Sequence, residues 1–110
     1  RKLRTGGAVM SNAARGEATL TINGRACLLR PSFDALVQAE EELGPLFDLV
    51  ERAGEGKLRL TDMAALFWHC LAERGDLSRE AVGEAVVAQG LAASTKPLRI
   101  LLGEILKGRV

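Results

Sequence analysis

Glu17-Ala18-Thr19-Leu20-Thr21-Ile22-Asn23-Gly24-Arg25-Ala26-Cys27-Leu28-Leu29-Arg30-Pro31-Ser32 is the stretch that decides how this chain folds. From Glu17 to Ile22 polar and apolar residues alternate, the period of a strand with one face covered. Asn23-Gly24 then supplies the two positive-φ positions of a type I′ turn. A two-residue loop sets Ile22 opposite Arg25, Leu20 opposite Cys27, Ala18 opposite Leu29 and Glu17 opposite Arg30. The predicted hairpin, residues 17–30, therefore carries one face made largely of Ala18, Leu20, Ile22, Cys27 and Leu29, with a Glu17 and Arg30 charge pair at the edge of the other. Two strands alone are marginal in water, so that apolar face must rest on helices.

Helices follow. Pro31 ends the second strand and Ser32 is a good N-cap for a helix over 33–43 carrying Phe33, Leu36, Val37 and Leu43, with Asp34 in its positive first turn. Gly44 stops it. Pro45 suits the start of a short helix over 45–53, in which Leu46, Leu49, Val50 and Ala53 repeat at helical spacing; the two can also run on as one kinked helix. Thr61 reads as the cap of a helix over 62–74, with Met63, Leu66, Phe67, Cys70 and Leu71 as its stripe and Gly75 as its stop. Ser78 caps a helix over 79–89 built on Val82, Ala85 and Val86. Ser94-Thr95-Lys96-Pro97 opens a last one over 96–107. The predicted class is α+β: an N-terminal β-hairpin packed on a bundle of four to five α-helices, one domain over residues 14–110.

With 110 residues, 47% hydrophobic and 26% charged, the chain is long enough for one core without disulfide or metal staples. No apolar run approaches the length of a membrane span, and the basic start lacks the apolar stretch of a secretory signal. Two cysteines, Cys27 and Cys70, lie too far apart for a metal knuckle or a redox pair, so the expected compartment is the cytoplasm. Residues 1–9 hold three basic groups and no acidic one, and Met10-Ser11-Asn12-Ala13 reads as a start. Residues 1–13 are accordingly expected to be a disordered basic leader. Without residues 1–9 the balance is 12 basic against 14 acidic, which weakens any case for a polyanionic partner.

The acidity is concentrated between Asp34 and Glu55, where seven carboxylates face a single base, Arg52. A solvated helix face is one account of this run, and a surface that steers a basic partner is the other. Chemistry has little foothold. His69 is the one histidine, and its neighbour Cys70 falls on the apolar stripe, where a thiol behaves as a small hydrophobe. Glu40-Glu41-Glu42 diverge around a helix axis, whereas acid–base or metal pairs must converge. Gly54-Glu55-Gly56 lacks the spacing and the lysine of a phosphate loop. No catalytic residue, metal or cofactor is expected. Ala72-Glu73-Arg74-Gly75-Asp76-Leu77-Ser78 superficially joins two helices as a helix-turn-helix does, but the next helix opens with Arg79 and two carboxylates, Glu80 and Glu84, a poor reader of DNA. Trp68 lies off the Met63 to Leu71 stripe and widens the apolar surface beside Ala64 and Ala65. It is either buried against a neighbouring element or an anchor for a partner.

Ala14-Arg15-Gly16-Glu17, Ile22-Asn23-Gly24, Leu29-Arg30-Pro31-Ser32-Phe33, Leu36 and Glu41-Glu42-Leu43-Gly44 resemble, in that order, the start of a small family of gene transfer agents and related tailed phages, the tail assembly chaperone or tail tube proteins. The resemblance continues through Leu58-Arg59-Leu60-Thr61-Asp62-Met63 and Asp76-Leu77-Ser78-Arg79-Glu80 to Gly90-Leu91-Ala92, covering about residues 14 to 106. It implies a non-enzymatic role in tail morphogenesis, in the bacterial cytoplasm or on an assembling phage-like particle, with the tape measure protein, the tail tube protein or both as partners. The resemblance brings no site residues with it. On physical grounds the expected partner-binding residues are Trp68, Phe47 and Phe67, lining an apolar groove for an amphipathic helix, and Glu40, Glu41, Asp48 and Glu51, steering a basic partner. The competing reading is a small helical DNA-binding regulator.

Overall fold

The computed structural model describes residues 17–107, and the expected leader over residues 1–13 lies outside them. In chain order the elements are β1 Ala18–Ile22, β2 Arg25–Leu29, α1 Phe33–Leu43, α2 Leu46–Gly54, α3 Leu60–Cys70, α4 Arg79–Gln89 and α5 Leu91–Lys107. A hairpin followed by five helices makes the fold α+β.

β1 and β2 pair antiparallel with Ala18 opposite Leu29, Leu20 opposite Cys27 and Ile22 opposite Arg25. Asn23 and Gly24 both take positive φ, 54° and 77°, so the turn twists with its strands and the register is set. Ala18, Leu20, Ile22 and Leu29 are buried, while Cys27 is half-buried. Arg30 Nε donates to Glu17 Oε2 at 2.8 Å across the edge of the other face.

The covered face lies against α4 and α5, and α3 runs through the middle between α1 and α4. Met63, Ala64, Ala65, Leu66, Phe67, His69 and Cys70 are all buried, so α3 is covered nearly all round, as a central helix must be. Its Leu66 and Phe67 are enclosed in one cluster with Leu20, Ile22, Leu29, Leu49, Val82, Val86 and Leu101.

α3 ends earlier than the sequence predicts. Its last residue is Cys70, four short of 74, although Gly75 is the nearest breaker. The open edge of β2 captures the chain first: Leu71 forms an antiparallel bridge with Leu29, Arg30 N donates to Cys70 O at 2.7 Å, and Ala72 N donates to Leu28 O at 3.0 Å. Pairing with a strand edge satisfies the same backbone groups that another helical turn uses. The start of α3 is also shifted, from Thr61 to Arg59, because Asp62 Oδ2 accepts both Arg59 N at 3.1 Å and Arg52 Nη1 at 2.8 Å.

The other caps follow the sequence. Ser32 Oγ accepts Ala35 N at 3.2 Å and Ser78 Oγ accepts Ala81 N at 3.1 Å. Gly44, at φ 91° and ψ −175°, breaks the chain between α1 and α2, so the two are not one kinked helix. α1 buries Ala35 and Ala39, small residues that let it approach α3, and leaves Phe33, expected on its apolar stripe, 85% exposed. α5 begins at Leu91, ahead of the predicted start at 96, because Gly90 at φ 92° turns the chain within one residue and its carbonyl accepts Ser94 N at 3.2 Å. Pro97 therefore lies inside a helix. It forfeits the bond to the carbonyl of Ala93, an exposed residue, while its ring is buried.

Candidate functional site

The most connected polar cluster among the described residues joins the end of α1, the end of α3 and the start of α4. His69 Nε2 lies 2.9 Å from Glu42 Oε1, and Arg79 Nη1 donates to the other oxygen of the same carboxylate. His69 Nδ1 is buried and has no partner among the described residues, so in the neutral ring an N–H on Nε2 is the tautomer whose donor Glu42 satisfies. Hydrogen bonds from Arg79 first, and from His69 second, hold the Glu42 carboxyl below its ordinary titration range. Trp68, the next residue on α3, donates Nε1–H to Leu77 O at 3.0 Å, and the guanidiniums of Arg74 and Arg79 stack on its ring 4.2 and 4.7 Å from the centroid. These contacts clasp α1 and α4 to α3. The cluster brings no nucleophile to the histidine, since burial pushes the Cys70 thiol up to about 12, where it stays protonated and inert.

The residues expected to bind a partner divide into two groups. Phe67 has no exposed surface, and Trp68 is engaged by two arginines and a carbonyl, so the groove expected near Phe47, Phe67 and Trp68 is not built from those three. Phe67 faces inward because α3 is central and has no free apolar side. The second group comes together. Glu40 Oε2 accepts Leu46 N at 3.1 Å, tying the end of α1 to the first turn of α2, the turn that carries Phe47. Phe47 is 79% exposed, and on α2 it lies one turn from exposed Glu51 and next to exposed Asp48. Glu41 is exposed beside Glu40. Arg52, the one base between Asp34 and Glu55, is bound by Asp62 and does not neutralise this face. The result is an exposed aromatic ring near Asp48 and Glu51, carboxylates with no ion pair among the described residues.

Sequence reasoning missed the separate fate of Glu42. The three glutamates diverge around the axis of α1 as expected, but Glu42 turns to His69 while Glu41 faces out. Helical periodicity places the residues of α1 on faces but does not say which face meets a histidine 27 positions away.

The helix-turn-helix pattern dissolves in three dimensions. Eight residues, Leu71–Ser78, separate α3 from α4, against the three or four of a DNA-binding turn. Arg79, the base that opens α4, is spent on Glu42 and Trp68.

Residues 15–108 match the model of one family, described as phage tail tube protein, GTA-gp10. The chain belongs to that family. Comparisons with curated proteins and with solved structures give no match. In this phage tail tube family member no described helix is long and apolar enough to cross a membrane, and the described residues contain no grouping of three or more His, Cys, Asp or Glu side chains placed to hold a metal ion.

Proposed function

We propose that the chain is a non-enzymatic tail morphogenesis protein of a gene transfer agent or prophage, a tail assembly chaperone or tube-associated factor. It acts by holding the tape measure protein, the tail tube protein or both during assembly. Membership of the tail tube family supplies the setting. The observation that carries the mode of action is the outer face of α2, where Phe47 stands 79% exposed with Asp48 and Glu51 on its helix and Glu40 bonded to its first turn. A large aromatic side chain held in water is an interface anchor in waiting, and the carboxylates around it speed the approach of a basic partner while adding little to its residence time. Such a surface suits a factor that must both hold and release.

The test is copurification of the tagged chain from cells making particles. Tape measure or tube protein is expected with the wild type and lost with Phe47→Ser, while Asp48→Lys with Glu51→Lys weakens capture most at low salt. Equal capture by all three proteins would remove the α2 face from the mechanism. Duplex DNA binding that falls steeply with salt would favour a regulator instead.

A further inference from the structure

A groove that the sequence did not suggest lies between α3 and α4, lined by none of Phe47, Phe67 and Trp68. α3 and α4 meet through small residues: a Cβ added to Gly83 would stand 3.8 Å from Ala64 Cβ, an ordinary contact distance. Beside that contact runs an open groove of about 410 Å³, walled by Leu60, Ala64, Ala65 and Gly83, with Thr61 and Glu80 at its rim. Leu60, at one end, is 41% exposed. Small walls let another backbone come close, the condition for seating a helix between two helices.

Charge identifies the occupant. The one base lining the groove is Arg79, and Glu42 neutralises it. Glu80 and Glu84 lie one turn apart on α4, exposed and without an ion pair among the described residues. Glu80 lines the groove and Glu84 lies one turn farther along α4, outside its lining, so the unbalanced charge at the groove and along α4 beside it is negative, while the groove is walled by Leu60, Ala64, Ala65 and Gly83. We propose that the groove between α3 and α4 docks a basic amphipathic helix of a partner protein, its Ala/Leu ridge on Ala64 and Gly83 and its Lys or Arg flank against Glu80 and Glu84. Under the proposed tail role this is a second contact surface, separate from the α2 face.

The experiment is a ¹⁵N NMR titration of the full chain with a synthetic Leu/Ala/Lys amphipathic peptide of about 18 residues, five helical turns, and with its Leu/Ala/Glu counterpart. The Lys peptide is expected to shift the amides of Ala64, Ala65 and Gly83. Gly83→Leu, which fills the groove, should weaken it by about tenfold or more, the equivalent of ~1.4 kcal/mol. Gly83→Ala adds a methyl group at van der Waals distance and should fold and still bind, so a Gly83→Leu chain that misfolds leaves Glu80→Lys with Glu84→Lys to decide. That pair should abolish the preference for the basic peptide. Equal binding of the Glu peptide, shifts confined to α2, unchanged affinity in the folded variants, or self-association that covers the groove with a second copy would each overturn the proposal. Tail-protein capture that survives Gly83→Leu sinks the groove as the tail contact and spares the tail role. Failure of the wild-type chain to capture any tail protein sinks the role, and the peptide titration still decides the groove.

Discussion

Replacing Glu42 tests the clasp between α1, α3 and α4. With Nδ1 of His69 already unpartnered, no tautomer of the ring finds an acceptor for its N–H among the described residues once the carboxylate is gone. The His69 side chain is 6% exposed, so Glu42→Ala leaves a buried donor orphaned at a cost of about 1–3 kcal/mol. Loss of the ion pair with Arg79 adds only about 0.2–1 kcal/mol, because that side chain is 44% exposed and screened by water. Together these give about 1–4 kcal/mol, a fall in Tm of roughly 5–17 °C at about 4 °C per kcal/mol for a domain of this size. Glu42→Gln keeps a carbonyl oxygen for His69 and should cost about half as much. Urea unfolding followed by circular dichroism and by the fluorescence of Trp68, the one tryptophan of the chain, measures both variants. A cost under ~0.5 kcal/mol for Glu42→Ala, or equal costs for alanine and glutamine, would refute the orphaned-donor account.

Glu42 titrates below its ordinary value of 4.5, so the stability it contributes is complete above that pH and drains away as the pH falls through the lower folded-state value. Acid unfolding of Glu42→Gln should accordingly lose part of its pH dependence below 4.5, and a profile identical to wild type would contradict the assignment. Thiol labelling of the native chain should stop at one equivalent, on half-buried Cys27, with buried Cys70 reacting only in denaturant; rapid labelling of Cys70 at neutral pH would show that α3 opens readily. Phe67→Ala should cost about 3–5 kcal/mol, whereas Phe47→Ser should change unfolding by less than ~0.5 kcal/mol. Comparable destabilisation by both would mean that Phe47 is packed in solution.

Much of the local structure was legible because its causes are local. Asn23-Gly24 sets the hairpin register through backbone torsions of two adjacent residues, and Ser32 and Ser78 cap helices whose free N–H groups lie three positions on. The acidity of the α1–α2 segment was legible as well, but the sequence grouped Phe47 with Phe67 and Trp68, and only the fold sets it beside Asp48 and Glu51 on an exposed face. The groove between α3 and α4 was not legible, and the one expected near Phe47, Phe67 and Trp68 is not built from those residues. The walls of the α3–α4 groove come from Ala64 and Gly83, which signal nothing at 19 positions' separation until two helices are laid side by side.

By itself the sequence determined which segments are strand or helix, the turn that pairs the strands and the charge of each face, because these follow from torsional preference and periodicity within a few residues. Only the tertiary structure decided that α3 stops at Cys70, that Glu42 rather than Glu41 meets His69, and that Phe67 is core while Phe47 is surface. Each of those outcomes is a competition between distant partners for the same backbone bond, buried proton or apolar area, and the winner depends on which elements the fold brings within a few ångströms.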